Sequence, residues 1–400
     1  MRSRLVSQLG QFGHDSIEVR SGHGSTLTCT DGTSYLDASA GYWNVSLGYS
    51  DPALRAAVSS AVACLPAAHL YRRLHEPASS LAETFHEVFP DVTERVLLAN
   101  DGSGAVETAL RLAVESHHWR TGRRPSRLLV LDGAFHGDSI TCRELGGFPA
   151  RGLTASFRGL DVVRLPREQP ANLGMWFEGG DVAAVLVEPV QGWGFHVIAP
   201  GYLSNLAQLS WASGGLFIVD EVATGLGRTG QMLAIERSGV RPDLVVLGKG
   251  LTSGWAPLAA VLAGPRPAAW LRGRAFEHGR TTAGHPIACA VAEATVRAIV
   301  DRDLCAAATA MGAQFRARMA ASARRYGLQI RGEGAMLAVD LKQTALAAEA
   351  RDAARCSGVL VGQEGPTITF CPPLTTPPVE VSLMVDAYHH ATLQVFASKD

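Results

Sequence analysis

The sequence predicts an α/β fold, with a large domain built on a mostly parallel sheet and a smaller α+β domain. Short apolar runs alternate with amphipathic stretches through the first two thirds of the chain, and long helical patterns with short strands follow. Strands that alternate with helices are typical of βαβ units, in which the helices cover a parallel sheet. The chain has 400 residues, 47% of them hydrophobic, which is enough for a large core.

Seven apolar runs are the predicted strands of the large sheet. They cover residues 96–99, 128–131, 162–165, 183–187, 216–220, 244–247 and 258–262. Apolar residues recur at helical spacing in residues 105–117 and 203–211, and we predict helices there. We place the large domain at residues 49–288.

The pattern changes after Pro286. A stretch rich in Ala and Val follows, and residues 304–326 are predicted to form another helix. Short strands are predicted at residues 336–341, 359–361 and 367–370. We therefore predict a small domain at residues 289–400, which the N-terminal segment, residues 1–48, joins in space.

Charge and composition exclude several classes of function. With 36 basic and 37 acidic residues the net charge is −1, which gives no support for nucleic acid as a partner. Seven cysteines without C-x-x-C spacing favour reduced thiols over a disulfide framework or a metal site. The sequence shows neither a signal-peptide pattern nor the run of about 18 apolar residues that a membrane span needs. We expect a cytoplasmic protein without a membrane or metal partner.

A lysine and an aspartate follow two of the predicted strands. Lys249 lies between two glycines directly after residues 244–247, and Asp220 ends residues 216–220. In an open α/β sheet, ligands bind at the carboxyl ends of the strands. An amine that can form a Schiff base and a carboxylate that can hold a pyridinium nitrogen are the pair that a pyridoxal phosphate enzyme needs.

Two further motifs have the composition of a cofactor site. Residues 100–105 contain Gly102 and Ser103 at a predicted helix start, where free N–H groups favour a phosphate, although Ser103 could equally be an ordinary N-cap. Phe135 and His136 follow the strand at residues 128–131, and the phenylalanine could stack on a planar cofactor or lie in the core. A fourth motif, residues 187–192, could form a cofactor wall or a plain loop.

Residues 225–230 match the dinucleotide pattern G-x-G-x-x-G, but their context is wrong. In a dinucleotide fold the first glycine follows its strand at once, whereas here four residues lie between Asp220 and Gly225. The acid about 20 residues further on, Asp243, starts the next predicted strand instead of ending it. We therefore predict no NAD site.

These motifs, in this order, resemble the class III aminotransferases of the fold-type I pyridoxal phosphate enzymes. The likeness covers residues 31–374 and is strongest in residues 220–230, 247–250 and 281–290. It implies a fold-type I transferase with a seven-stranded, mostly parallel sheet and a small domain formed from both termini. It also implies pyridoxal 5'-phosphate as cofactor and a reaction between a small-molecule amino donor and an amino acceptor.

The resemblance also implies roles for single residues. Lys249 would form the Schiff base and then act as acid and base, and Asp220 would pair with the pyridine nitrogen. Gly102 and Ser103 would hold the phosphate, and Phe135 would stack on the ring. The remaining cofactor contacts would be His136, Ala223 and Thr281.

In this family Thr281 would reach the phosphate of the neighbouring subunit, which implies a homodimer with shared active sites. Within the family, Tyr42, Trp43, Ala223 and residues 135–138 resemble the 7,8-diaminopelargonate aminotransferases of biotin synthesis. Those enzymes take their amino group from S-adenosylmethionine.

The chain departs from its relatives where they bind substrate. Gly362 and Thr369 stand where relatives have arginines for a substrate carboxylate. Without an arginine, a substrate carboxylate lacks a guanidinium that can bind both of its oxygens. Arg280 could replace that charge from the partner subunit or be a solvated surface residue, and Trp193 could form an aromatic substrate wall or lie in the core. Asp101 adds a negative charge beside the predicted phosphate site.

The functional prediction is a class III aminotransferase of specialised metabolism, related to the biotin-pathway enzyme. The biotin-pathway enzyme itself is the first alternative. An aminomutase, an epimerase or an elimination enzyme on the same scaffold is the second. A non-enzymatic binding protein is disfavoured because Lys249 and Asp220 are both present.

Overall fold

The structure, a computed structural model, describes residues 16–146, 159–179 and 181–397. The first fifteen residues of the predicted N-terminal segment, residues 147–158 and 180 of the predicted large domain, and residues 398–400 lie outside this part. The described chain begins with the strands β1 (Val19–His23), β2 (Thr26–Cys29) and β3 (Ser34–Asp37) and the helices α1 (Ala40–Trp43), α2 (Pro52–Cys64) and α3 (Glu76–Val88).

Seven described strands form the central sheet. In chain order they are β4 (Arg95–Ala99), β5 (Arg127–Leu131), β6 (Asp161–Leu165), β7 (Val182–Val187), β8 (Leu216–Asp220), β9 (Leu244–Leu247) and β10 (Ala259–Ala263). Their spatial order is β4-β10-β9-β8-β7-β5-β6. The strands β6, β5, β7, β8 and β9, which lie side by side in that order, pair in parallel. β10 is antiparallel to both β4 and β9. The predicted α/β class with a mostly parallel seven-stranded sheet is confirmed.

Helices cover both faces of this sheet. They are α4 (Gly102–Thr121), α5 (Ile140–Leu145), α6 (Pro200–Ala212), α7 (Pro265–Leu271) and α8 (Pro286–Asp301). The next helix, α9 (Leu304–Tyr326), packs mainly against the later elements of the chain. Alternate residues of each central strand belong to two different cores, as Phe217 and Ile218 do in β8. Because both faces are buried, the strands are continuous apolar runs instead of alternating patterns.

Strands and helices of a second group follow α9. They are β11 (Gln329–Glu333), β12 (Met336–Asp340), α10 (Thr344–Cys356), β13 (Val359–Leu360), β14 (Gly362–Glu364), β15 (Thr367–Phe370) and α11 (Pro378–Ala397). An antiparallel sheet has the order β11-β12-β15-β14, and β13 pairs in parallel with β3. The N-terminal strands thus share a sheet with the C-terminal part. The domain limits at residues 49 and 288 stay a prediction.

Short 3₁₀ turns occur at Pro90–Val92, Leu173–Phe177, Ala234–Ser238 and Lys249–Thr252. The turn at Lys249–Thr252 follows β9 at its carboxyl end and therefore begins at the predicted site. Among the described helices, none combines the length and the apolar character that crossing a membrane would require.

Candidate active site

Seven of the predicted site residues line one cavity of about 190 Å³ at the carboxyl ends of β7, β8 and β9. They are Gly102, Ser103, Phe135, His136, Asp220, Ala223 and Lys249. The start of α4 closes one side. Glu188 and Gly192, from the motif that could have been a plain loop, line it as well.

Lys249 enters this cavity from a constrained backbone. Its φ of 41° is in the left-handed region, which a residue other than glycine adopts only when its surroundings hold it there. The Nζ atom lies 4.4 Å from the centroid of the Trp43 ring. Burial lowers the pKa of Lys249, against the opposing effect of the carboxylates of Glu188, Asp220 and Glu364. A lowered pKa favours the neutral amine, which is the nucleophilic form.

Asp220 is buried and held by two hydrogen bonds. Its Oδ1 accepts the N–H of Val222 at 3.0 Å, and its Oδ2 lies 2.8 Å from Nδ1 of His136. Burial lowers the pKa of His136, but the hydrogen bond to Asp220 and the charges of Asp220 and Glu188 together raise it by more, so that this pKa lies above its ordinary value. The pair fixes the orientation of the carboxylate. Nε2 of His136 is buried and has no hydrogen-bond partner among the described residues.

Glu188 is a site residue that the sequence did not single out. Its Oε2 accepts the N–H of Phe135 at 2.8 Å, and its Oε1 accepts the N–H of Gly192 at 2.8 Å. The carboxylate therefore joins the loop that contains Phe135 to the loop that precedes Trp193. Burial raises the pKa of Glu188 to about 7, with His136 lowering it and Asp220 raising it.

The predicted phosphate turn has Asp101, not Ser103, as the N-cap of α4. The Asp101 carboxylate accepts the N–H of Gly104 at 2.8 Å and so caps its own helix. Ser103 instead accepts the N–H of Asp138 through Oγ at 3.0 Å, which leaves its hydroxyl proton available for donation. A Cβ at Gly137, where φ is 122°, would lie 2.3 Å from that Oγ. Only glycine fits this close approach.

The residues of this cavity fit pyridoxal phosphate. A half-buried lysine amine and a buried carboxylate face a cavity that the N-terminus of a 20-residue helix enters. Val222 and Ala223 form an apolar wall, and a Cβ at Gly102 would already lie 3.1 Å from Val222. The aldehyde, the ring nitrogen, the phosphate and the ring face of the cofactor thus each have a chemically matched group.

Trp43, which lies beside Lys249, belongs to a group of aromatic side chains. Tyr42 stacks on Trp43 with ring centroids 4.8 Å apart, and Trp43 meets Phe195 edge to face at 5.0 Å. Trp43 is buried, whereas Tyr42 is 53% exposed and Trp193 is 40% exposed. The exposure of Tyr42 and Trp193 is compatible with their predicted contact with the substrate.

Thr281 and Arg280 do not line the cavity of their own chain. Arg280 forms an ion pair with Glu107 at 3.1 Å, and its guanidinium would lie 3.2 Å from a Cβ at Gly104. Thr281 is exposed. Their predicted action in a neighbouring subunit stays a prediction.

Gly362 and Thr369, the two positions where the resemblance implies arginines in relatives, lie directly opposite each other. Gly362 in β14 pairs with Thr369 in β15. A Cβ at Gly362 would lie 2.3 Å from Oγ1 of Thr369, so a side chain at residue 362 would collide with that hydroxyl unless Thr369 moved.

The family of the chain follows from comparison with known proteins. The chain matches the family model described as "Aminotransferase class-III" over residues 11–392. It belongs to the class III aminotransferases. The predicted enzyme class is confirmed.

Solved structures of other transaminases share the fold of this class III aminotransferase. An amine transaminase from an uncultivated Pseudomonas species, in its PLP-bound form, is 30% identical with a TM-score of 0.89, over 97% of this chain and 98% of that chain. The PMP-bound aminotransferase from Vibrio fluvialis is 25% identical, with a TM-score of 0.91 over 99% and 98%. The omega transaminase from Pseudomonas jessenii in complex with PMP is 26% identical, with the same TM-score and coverage. The fold-type I assignment and the cofactor, pyridoxal phosphate, are confirmed.

Proposed function

We propose that this class III aminotransferase moves an amino group from a primary amine to a keto or aldehyde acceptor, with Lys249 as its catalytic residue. The observation that supports this most is the common cavity of Lys249, Asp220 and the start of α4. These groups come from three separate elements.

Each residue of the cavity would have a distinct task. Bound pyridoxal phosphate supplies an electron sink that makes the carbon beside the amino nitrogen acidic. Lys249 would bind the cofactor aldehyde and afterwards carry a proton at Nζ. Asp220, oriented by His136, would hold a proton on the ring nitrogen. Ser103 would donate its hydroxyl to the phosphate, and Phe135 and Ala223 would contact the ring.

The substrate of this enzyme would differ from a simple ω-amino acid. The positions of the missing arginines, Gly362 and Thr369, support this because neither provides a cation for a carboxylate. We therefore favour a relative of the biotin-pathway enzyme that acts in specialised metabolism. The stacked pair of Tyr42 and Trp43 beside Lys249 supports the 7,8-diaminopelargonate aminotransferase as a second candidate, with S-adenosylmethionine as donor.

A homodimer would complete the site. Tyr71 is 54% exposed and Leu74 is 77% exposed, and both line a groove of about 410 Å³ together with Arg280. Exposed apolar side chains of this size favour a protein partner. A second copy on this groove would lie beside the loop that contains Thr281.

Half-reactions test the proposed function. The purified holoenzyme is mixed with single donors: S-adenosylmethionine, lysine, glutamate, alanine and a simple alkyl amine. A donor should bleach the yellow cofactor and release its own carbonyl product in equal amount. If no donor does so while a substrate is still consumed, the reaction is not transamination.

A further inference from the structure

Glu364 is a buried acid that faces the active site from the C-terminal sheet. It lies in β14 two residues after Gly362, and side chains two residues apart in a strand share a face. Gly362, Thr369 and Ala338 are register partners across three strands, so they lie on that face too. Ala338 packs in one apolar cluster with Trp43 and Ala223, which belong to the active site.

The contacts of Glu364 leave one carboxylate oxygen without a partner. Glu364 is only 5% exposed. Its Oε2 accepts the N–H of Gly194 at 3.0 Å, next to Trp193, whereas its Oε1 is buried and has no hydrogen-bond partner in the described structure. A buried carboxylate oxygen without a donor is unfavourable, and a charged ligand group can relieve that cost.

Arg331, a cation on the same sheet, is already paired with other groups. It forms an ion pair with Asp340 at 2.9 Å and donates to Thr367 at 3.1 Å. Burial raises the pKa of Glu364 to about 7, and the charge of Lys249 lowers it. The carboxylate is therefore within electrostatic range of the proposed catalytic amine.

We infer that Glu364 is a specificity residue that binds a second cationic group on the amine substrate. This inference rests on the proposed function. Relatives place a cation near this point for an anionic substrate, whereas this chain has Gly362 and Thr369 there and an acid on the same face. Trp43 and Tyr42 add aromatic faces, which attract cations. The substrate class is thus a primary amine with a second positive charge, such as a diamine.

A chain-length series of amines tests this inference. Unbranched diamines of three to six carbons are compared with monoamines of the same length, as donors for the holoenzyme. The wild type should show a kcat/KM for the best diamine about tenfold or more above that of its matched monoamine. In Glu364→Gln, which keeps the size of the side chain, this ratio should fall about tenfold or more, mainly through a higher KM for the diamine. Glu333→Gln, an acid in the same sheet that pairs with Arg237, is the matched control and should keep the ratio.

Each other outcome overturns the inference in a recognisable way. A wild type that converts both amines equally well contradicts a cation site while transamination stands. A Glu364→Gln variant that loses both amines to the same degree shows that Glu364 only supports the loop at Gly194 or pairs with a group of a second subunit. If the wild type transaminates no amine at all, the proposed function fails, and the inference fails with it.

Discussion

Besides Lys249, Asp220 is the residue on which the proposed chemistry depends most. Within the described ranges, its buried carboxylate is hydrogen-bonded to the His136 ring and to the N–H of Val222, of which only His136 can be charged. Asp220→Asn keeps the shape but removes the charge that would hold the ring nitrogen protonated. We expect kcat for transamination to fall about 100-fold or more, with the exposed Asp132→Asn as control. Wild-type kcat in Asp220→Asn would contradict the role.

The raised pKa of Glu364 predicts a pH dependence of stability. Burial raises this pKa from 4.5 to about 7, so between these values the folded protein holds a proton that the unfolded chain has lost. The stabilisation is complete below about pH 4.5 and is lost as the pH rises through 7. Glu364→Gln does not titrate. The free energy of unfolding of Glu364→Gln, relative to that of the wild type, should therefore increase between about pH 5 and pH 8, by on the order of 3 kcal/mol at most.

Thermal unfolding at a series of pH values measures this difference. The expected sign is a change in Tm, variant minus wild type, that becomes more positive as the pH rises. A difference that stays constant with pH would show that the Glu364 carboxyl has an ordinary pKa.

Single residues of the site were predictable where a strand end determines their position. Lys249 and Asp220 follow apolar runs, and the carboxyl ends of such strands meet at one edge of the sheet. Glu188 also follows a strand, but its task depends on the N–H groups of Phe135 and Gly192 in two loops, and no local pattern shows that these loops approach each other. Glu364 depends on contacts between distant parts of the chain.

At the scale of elements, the pairing of β14 with β15 places Gly362 against the side chain of Thr369. Gly362→Ala would bring a Cβ to 2.3 Å from Oγ1 of Thr369, and we expect it to destabilise the protein by about 1–3 kcal/mol. Thr369→Ala removes that oxygen, which is buried without a hydrogen-bond partner in the described chain. The double variant should therefore recover most of the lost stability.

Denaturant unfolding of both single variants and the double variant measures this coupling. Additive effects of the two substitutions would mean that the two side chains do not collide.

The sequence prediction did not single out the helices α2, α3, α10 and α11, and it also lacked several short strands. β14 has three residues, Gly362–Glu364, and its polar composition gives no apolar run. β11, Gln329–Glu333, is polar and at an edge of its sheet, so it lacks the pattern of a buried strand. The long helices α4 and α9 and the buried central strands, by contrast, have strong periodicity or continuous apolar runs.

At the scale of the whole molecule, the fold class was predictable but the direction of one strand was not. β10 is antiparallel in an otherwise mostly parallel sheet. A strand buried on both faces is an apolar run in either direction, so its residues do not encode its orientation.

The proposed homodimer is a prediction at the same scale. Leu74→Glu places a charge in the exposed apolar groove beside the Arg280 loop, and we expect it to weaken self-association. Val379→Glu, at a residue in α11 that is 67% exposed, is the matched control. Sedimentation velocity of both variants gives the oligomeric state. A Leu74→Glu protein that sediments as the wild type does would place the interface elsewhere.

The covalent attachment of the cofactor to Lys249 is the central claim, and borohydride reduction tests it most directly. The purified wild type is reduced, digested and examined by mass spectrometry for a pyridoxyl adduct. We expect the adduct on the peptide that contains Lys249, and none in Lys249→Ala. An adduct on another lysine of the wild type, or an unchanged adduct in Lys249→Ala, would contradict the account.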